Sequence, residues 1–183
     1  EQSGFVLRRG TLIDATLIRS AVSPPPPPRE VPVDETGRPA SKLVRNPADP
    51  DAAWTRKEGR LFFGYKAHVA MDLGSRIVRR VIVTPANVND TCPADDLICG
   101  DERIVFADKA YDSEARRALL RERGIRNGIM RRGRRCRTMS AATVRRNKLL
   151  SRLRAPVEPL FALLKTVYGF ARTRYRSLLR NAA

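Results

Sequence analysis

Apolar and β-branched residues dominate G-T-L-I-D-A-T-L-I, Gly10 to Ile18, and predict a strand with Leu12, Asp14, Thr16 and Ile18 on one face. A carboxylate in the middle of that strand is expensive unless something compensates it. Two further strand patterns, F-F-G-Y-K-A-H-V-A-M-D (62–72) and R-I-V-R-R-V-I-V-T-P (76–85), are separated by L-G-S, a spacer with the length and glycine of a hairpin turn. The run I-V-F-A-D (104–108) predicts a fourth strand, and D-D-L-I-C-G-D before it leaves room for a short helix. In D-S-E-A-R-R-A-L-L-R-E-R-G, Asp112 or Ser113 is the cap candidate, Ala115, Leu119 and Leu120 share one side, and Gly124 is the stop, which together predict a helix. A short fifth strand is expected over 124–130. Another helix is expected from Ser140, carrying Val144, Leu149, Leu150 and Leu153. Pro156 interrupts it, and a last helix begins at Pro156 or Val157, because proline is tolerated in a first turn. Three strands, helix, strand, helix, strand and then helices make an α/β fold with an antiparallel start.

Residues 20–60 break this rhythm. Five prolines, Pro24 to Pro28, are followed by polar and acidic residues and then N-P-A-D-P-D. That density excludes helix and central strand and predicts an extended, partly disordered insertion after the first strand. The chain of 183 residues is 42% hydrophobic, enough for one domain with a real core. Its 36 Lys and Arg against 19 Asp and Glu leave a net charge of +17, concentrated downstream of Arg116, and make nucleic acid the favoured partner. No apolar run is long enough for a membrane span and no leader opens the chain, so the expected location is the cytoplasm. Cys92, Cys99 and Cys136 lack the paired spacing of a zinc site and are odd in number, which excludes a disulfide framework. His68 has no partner motif, so a structural or exposed role is favoured for it over catalysis.

Three carboxylates stand out: Asp14 inside the first strand, Asp108 ending the fourth, and Glu158 opening the helix in A-P-V-E-P-L-F. Asp108 taken alone reads best as a turn cap, with a grip on a metal or substrate as the competing reading. If the first and fourth strands are neighbours, the two aspartates stand side by side. Oxygen-rich sites suit hard divalent ions, and a pair of such ions serves phosphoryl transfer. Asp72 also ends a strand-like run, although the Gly-Ser turn after it explains that position. Asp90 and Asp112 read as loop and cap residues, and Asn87 as a helix or turn cap with a place near the site as its alternative. Tyr111 reads as a core residue with packing against the metal site as its alternative, and Trp54 as a docking contact with base stacking as its alternative.

Taken in order, G-T-L-I-D-A-T-L-I, D-P-D-A-A-W-T-R-K-E-G-R-L-F-F-G-Y-K-A-H-V-A-M-D, T-P-A-N-V-N-D, V-F-A-D-K-A-Y-D and R-A-P-V-E-P-L-F-A-L-L-K-T-V-Y-G resemble the catalytic domain of DDE-type bacterial insertion-sequence transposases. The resemblance implies a single RNase H-like catalytic domain over residues 1–183, lacking an upstream DNA-recognition region. It also implies two Mg²⁺ ions, with Mn²⁺ as a substitute, and DNA partners at the element ends and the target. A homodimer is implied for the full-length protein, and cleavage and strand transfer are the implied chemistry. Carried over by position, Asp14, Asp108 and Glu158 are the catalytic and metal-binding acids; the D-A-T context favours Asp14 over Asp72 as the first. Arg154 and Lys165 are implied phosphate ligands, while Ser151 stands where the family has Tyr, and Pro156 and Pro159 flank Glu158. In the basic cluster, Arg131, Arg132, Arg134 and Arg135 are expected along the DNA backbone. The alternatives are a catalytically inactive DNA-binding remnant, or a basic RNA binder without a carboxylate cluster.

Overall fold

The computed structural model describes residues 4–26, 46–133 and 138–182. Much of the expected insertion, together with Arg134, Arg135 and Cys136, lies outside the described residues.

Six strands form one sheet: β1 (Thr11–Arg19), β2 (Ala53–Lys57), β3 (Arg60–Asp72), β4 (Val78–Pro85), β5 (Ile104–Ala107) and β6 (Arg126–Ile129). Their order is β2-β3-β1-β5-β6, with β4 also paired to β3. Leu73 N–H donates to Gly10 O and Ser20 N–H to Phe63 O, so β1 and β3 run in opposite directions. Asp72 N–H donates to Ile77 O and Ala86 N–H to Gly64 O, which makes β4 antiparallel to β3 in turn. The antiparallel start read from the sequence is therefore present, and β5 and β6 continue the sheet in parallel with β1. The hairpin β2-β3 was not anticipated: Ala53–Lys57, at the end of the span read as insertion, pairs with Arg60–Gly64. The prolines upstream do not prevent this, because β2 pairs with β3 alone and a strand at a sheet edge needs few of its backbone donors.

The helices follow their capping signals. Ser113, rather than Asp112, caps α1 (Glu114–Glu122), its Oγ accepting from Arg116 N–H at 3.1 Å, and Gly124 leaves the helix at φ +66°. Ser140 caps α2 (Ala141–Arg154), and α3 (Val157–Thr166) starts just past Pro156, as read. Pro159 sits in the first turn of α3, where its missing N–H costs nothing. A short α4 (Leu178–Ala182) ends the described chain. The D-D-L-I-C-G-D connection makes turns instead of a helix and buries Leu97 and Ile98.

The chain divides into two compact units. The first comprises Glu1–Thr16, His68–Ile82 and Asn89–Leu164; the second comprises Leu17–Ala67, Val83–Val88 and Lys165–Ala183. In the first unit, neighbouring residues of each central strand serve different cores, because successive side chains leave opposite faces of a sheet. Ile13, Ala70, Val105 and Ala107 pack with Tyr111, Leu120 and Ile129 on one side. Leu12, Met71 and Phe106 pack with Leu150 and Val157 on the other. A sheet buried on both faces explains the nearly continuous apolar runs of β1 and β5. His68, in β3, is fully buried, in keeping with a structural role. The second unit closes over Ala52, Phe63 and Tyr65, with Trp54, Val83 and Leu178 around them. Its buried Asp49 accepts from Tyr65 Oη, from Ser20 Oγ at 2.5 Å and from Ser177 N–H at 3.1 Å, which satisfies a carboxylate that has no room for solvent.

Within that unit, Gly64 sits where β1 and β3 approach most closely. A Cβ there would stand 2.3 Å from Ile18 O and 2.6 Å from Ser20 N, and φ is +153°. Gly64→Ala is expected to lower stability by about 1–3 kcal/mol through backbone displacement, measured as a shift of the urea midpoint. An unchanged midpoint would show that the two strands can separate there without cost.

Candidate active site

The register of two adjacent parallel strands places the first pair of candidate residues. Leu12 of β1 lies opposite Phe106 of β5, and both face the core under α2 and α3. Two residues beyond Leu12 in β1 comes Asp14, and two beyond Phe106, just past the end of β5, comes Asp108. Each strand feeds a different core with alternate residues, so a slip of one residue would exchange the side chains fitted to the two cores.

Arg154, the last residue of α2, meets both carboxylates. One guanidinium nitrogen, Nη2, lies 2.8 Å from Asp14 Oδ2, and Nη1 lies 3.8 Å from Asp108 Oδ1. The remaining side of the head rests on Met130 Sδ at 3.8 Å. The helix that carries it is fastened at two earlier positions. Arg146 donates to Asn127 O and Ile129 O at 2.7 and 3.0 Å, and Asn147 exchanges hydrogen bonds with the Arg131 backbone at 2.9 and 3.0 Å. Leu150, one turn before Arg154, enters the core beneath.

Burial pushes the Asp14 carboxyl up from its ordinary value, Asp108 and Asp90 push in the same direction, and Arg154 with the Ala15 amide opposes them. Asp108 is more open, with 41% of its side chain exposed against 27% for Asp14. Its Oδ1 accepts from Lys109 N–H at 2.6 Å and starts a single 3₁₀ turn over Lys109–Tyr111. Cap and candidate ligand are thus one residue, since the cap uses one lone pair and leaves the carboxylate facing Arg154.

Asp72 is spent differently. Burial works against its ionisation, but hydrogen bonds from the Ser75 amide and hydroxyl, the Arg8 amide and the Gly74 amide outweigh it and hold the carboxyl below its ordinary value. It shapes the β3-β4 turn.

Glu158 lies in the first turn of α3, one helical turn past Arg154, with an exposed side chain. Among the described residues no three His, Cys, Asp or Glu side chains are gathered closely enough to hold one ion. Ser151 is exposed on α2. Lys165 belongs to the second unit, where burial and the nearby charge of Lys57 lower its pKa. Arg131 and Arg132 flank Asp112: the Arg131 guanidinium is 3.8 Å from Oδ1, and the Arg132 amide donates to Oδ2 at 3.0 Å. Arg134 and Arg135 lie outside the described residues.

Two further groups, Tyr111 and Asp90, are coupled electrostatically to this neighbourhood. Tyr111 is only 2% exposed, and its hydroxyl has no hydrogen-bond partner among the described residues. Burial raises its pKa, and the charges of Asp90 and Asp14 act in the same direction. Asp90 acts electrostatically on both Asp14 and Tyr111. The available signal was a hydroxyl three residues beyond Asp108, which a core assignment absorbs equally well.

Residues 7–183 match the family model of the transposase DDE domain. The chain belongs to that family. It is 33% identical over 174 residues to the transposase for insertion sequence element IS1106 of Neisseria meningitidis serogroup B, an alignment covering 94% of this chain and 59% of that protein. The chain thus spans well under two thirds of the length of this transposase relative. No helix among the described residues is long and apolar enough to cross a membrane.

Arg154→Ala is expected to cost about 1–3 kcal/mol at neutral pH, because it leaves Asp14 charged, mostly buried and beside Asp108. A raised carboxyl pKa destabilises the fold above that pKa, and the penalty disappears as acid neutralises the group. The deficit of the variant should therefore narrow as pH falls through the raised Asp14 pKa, in urea titrations run at several pH values. A deficit constant across pH would show that Asp14 does not depend on Arg154.

Proposed function

We propose that the chain is the catalytic domain of an insertion-sequence transposase, a polynucleotidyl transferase that cleaves DNA at the element ends and joins the freed strand to a target. The observation that carries this reading is the Arg154 guanidinium lying within 2.8 Å of Asp14, in β1, and 3.8 Å of Asp108, just past the end of the neighbouring parallel strand β5. The order β4-β3-β1-β5-β6, with three antiparallel strands followed by two parallel ones, supports an RNase H-like fold for the domain. Residues 1–183 are read as that single domain, with 20–60 as a proline-rich insertion whose end supplies β2.

The residues present suit a divalent cation. Asp14 and Asp108 supply hard oxygen donors on one face, and the unpartnered hydroxyl of Tyr111 adds a polar group on the buried side. Two Mg²⁺, or Mn²⁺ in their place, would be held by Asp14, Asp108 and Glu158. Bound there, divalent ions supply positive charge that activates the attacking oxygen and stabilises the leaving one. The first turn of α3 is a favourable place for the negative charge of Glu158. Arg154 offsets the repulsion between the aspartates and stands where the phosphate of a bound strand needs a counter-charge. Lys165, Arg131, Arg132, Arg134 and Arg135 are assigned to the DNA backbone, in keeping with the net charge of +17. DNA is the partner, the longer protein acts as a homodimer, and its place is the bacterial cytoplasm and nucleoid.

A second reading, DNA binding without chemistry, draws on Glu158 standing outside any three-acid group among the described residues. Nicking of insertion-end DNA separates the two. The catalytic reading expects Mg²⁺-dependent nicking by the parent chain, lost in Asp108→Asn while DNA affinity is retained. A parent chain that binds insertion-end DNA but does not nick it with Mg²⁺ or Mn²⁺ supports the second.

A further inference from the structure

The second unit holds a cavity of about 180 Å³, remote in composition from any acid chemistry. Trp54 and Phe62 are its partly exposed aromatic lining, with Phe63 buried against Trp54 behind it, and Arg19 and Arg172 supply its charge. Among the described residues no Asp or Glu lines it. The buried Asp49 behind Ser20 is already bound by three donors. Each cation is held in place: the Arg19 guanidinium lies 5.8 Å from the centroid of Phe62, and Arg172 Nε–H donates to Ser20 O at 3.1 Å. Trp54 and Phe63 face each other across the β2-β3 register as a tilted pair, with centroids 5.4 Å apart. Trp54 Nε1–H is buried without a partner among the described residues, an uncommon state for an indole donor and one that a nearby acceptor relieves.

We propose that this cavity is a binding site for one unstacked nucleotide of a DNA strand. A flat heteroaromatic ring carrying carbonyl acceptors and an attached phosphate answers each feature of the site. Aromatic walls take the π-face of any base, and paired arginines take the phosphate by charge and geometry. The volume suits a single ring system and is too small for a duplex, whose bases are stacked inward and present only edges and backbone. A nucleotide freed from its stack, at a strand end or a nick, is the form that can enter. The proposal relies on DNA as the partner but not on the acids of the first unit.

Trp54 is the only tryptophan of the chain, so its emission reports on the cavity directly. The full chain is titrated with oligo(dT) and with a blunt duplex in EDTA, following emission and, in parallel, anisotropy of labelled DNA. The single strand is expected to quench Trp54 and the duplex to leave it unchanged. Arg19→Ala and Arg172→Ala should each weaken single-strand binding about ten-fold. Both should affect duplex binding less, and Trp54→Phe tests the indole donor by anisotropy alone. The arginines are exposed, so retained circular dichroism and melting profiles are expected of both variants. Absence of quenching, equal quenching by duplex, or arginine variants with parental single-strand affinity would overturn the proposal. Because nothing in the assay requires divalent ions, quenching without nicking would count against the catalytic reading alone. Nicking without quenching would count against this site alone.

Discussion

Two aspartates share one face of a sheet that is otherwise buried, and that arrangement is tolerable only because a guanidinium lies against both. Unpaired carboxylates this close repel each other, and the mostly buried Asp14 is only partly solvated. Arg154 meets the need from the end of a helix whose earlier turns are fixed by Arg146 to β6 and by Asn147 to the Arg131 backbone just beyond it. Register, helix placement and charge balance are therefore one problem with one solution. Moving β1 by a residue would displace Asp14, and loosening α2 would withdraw the charge that stabilises it.

The same constraint leaves a pair of acids whose repulsion is offset by a single cation, in a chain whose net charge of +17 favours polyanionic partners. Membership of the transposase DDE family gives this pair its context. The more exposed Asp108 stays accessible while Asp14 is held deeper, where burial raises its pKa.

Much of this was legible in the chain. Apolar runs gave β1, β3, β4 and β5; Ser140 and Gly124 marked helix ends through their own chemistry; and Pro156 separated α2 from α3 where a missing amide does least harm. Other features depended on contacts that no local pattern carries. β2 was hidden by its proline-rich neighbourhood, because an edge strand is defined by its partner rather than by its own propensity. The family pattern marked Arg154 as a phosphate ligand, and only the packing of α2 shows it bound to Asp14. Tyr111 reads as core from sequence and is core, yet its hydroxyl is left without a partner by neighbours far along the chain. The position of Glu158 was readable as a helix start, but its distance from the aspartates depends on tertiary geometry.

Calorimetric titration of Mn²⁺ into the chain and into Asp14→Asn, Asp108→Asn and the double variant tests most directly whether the two aspartates act as one cation site. Coupled ligands predict that either single substitution removes most of the binding heat and that the second removes little more. Binding that survives the double substitution undiminished would contradict the account.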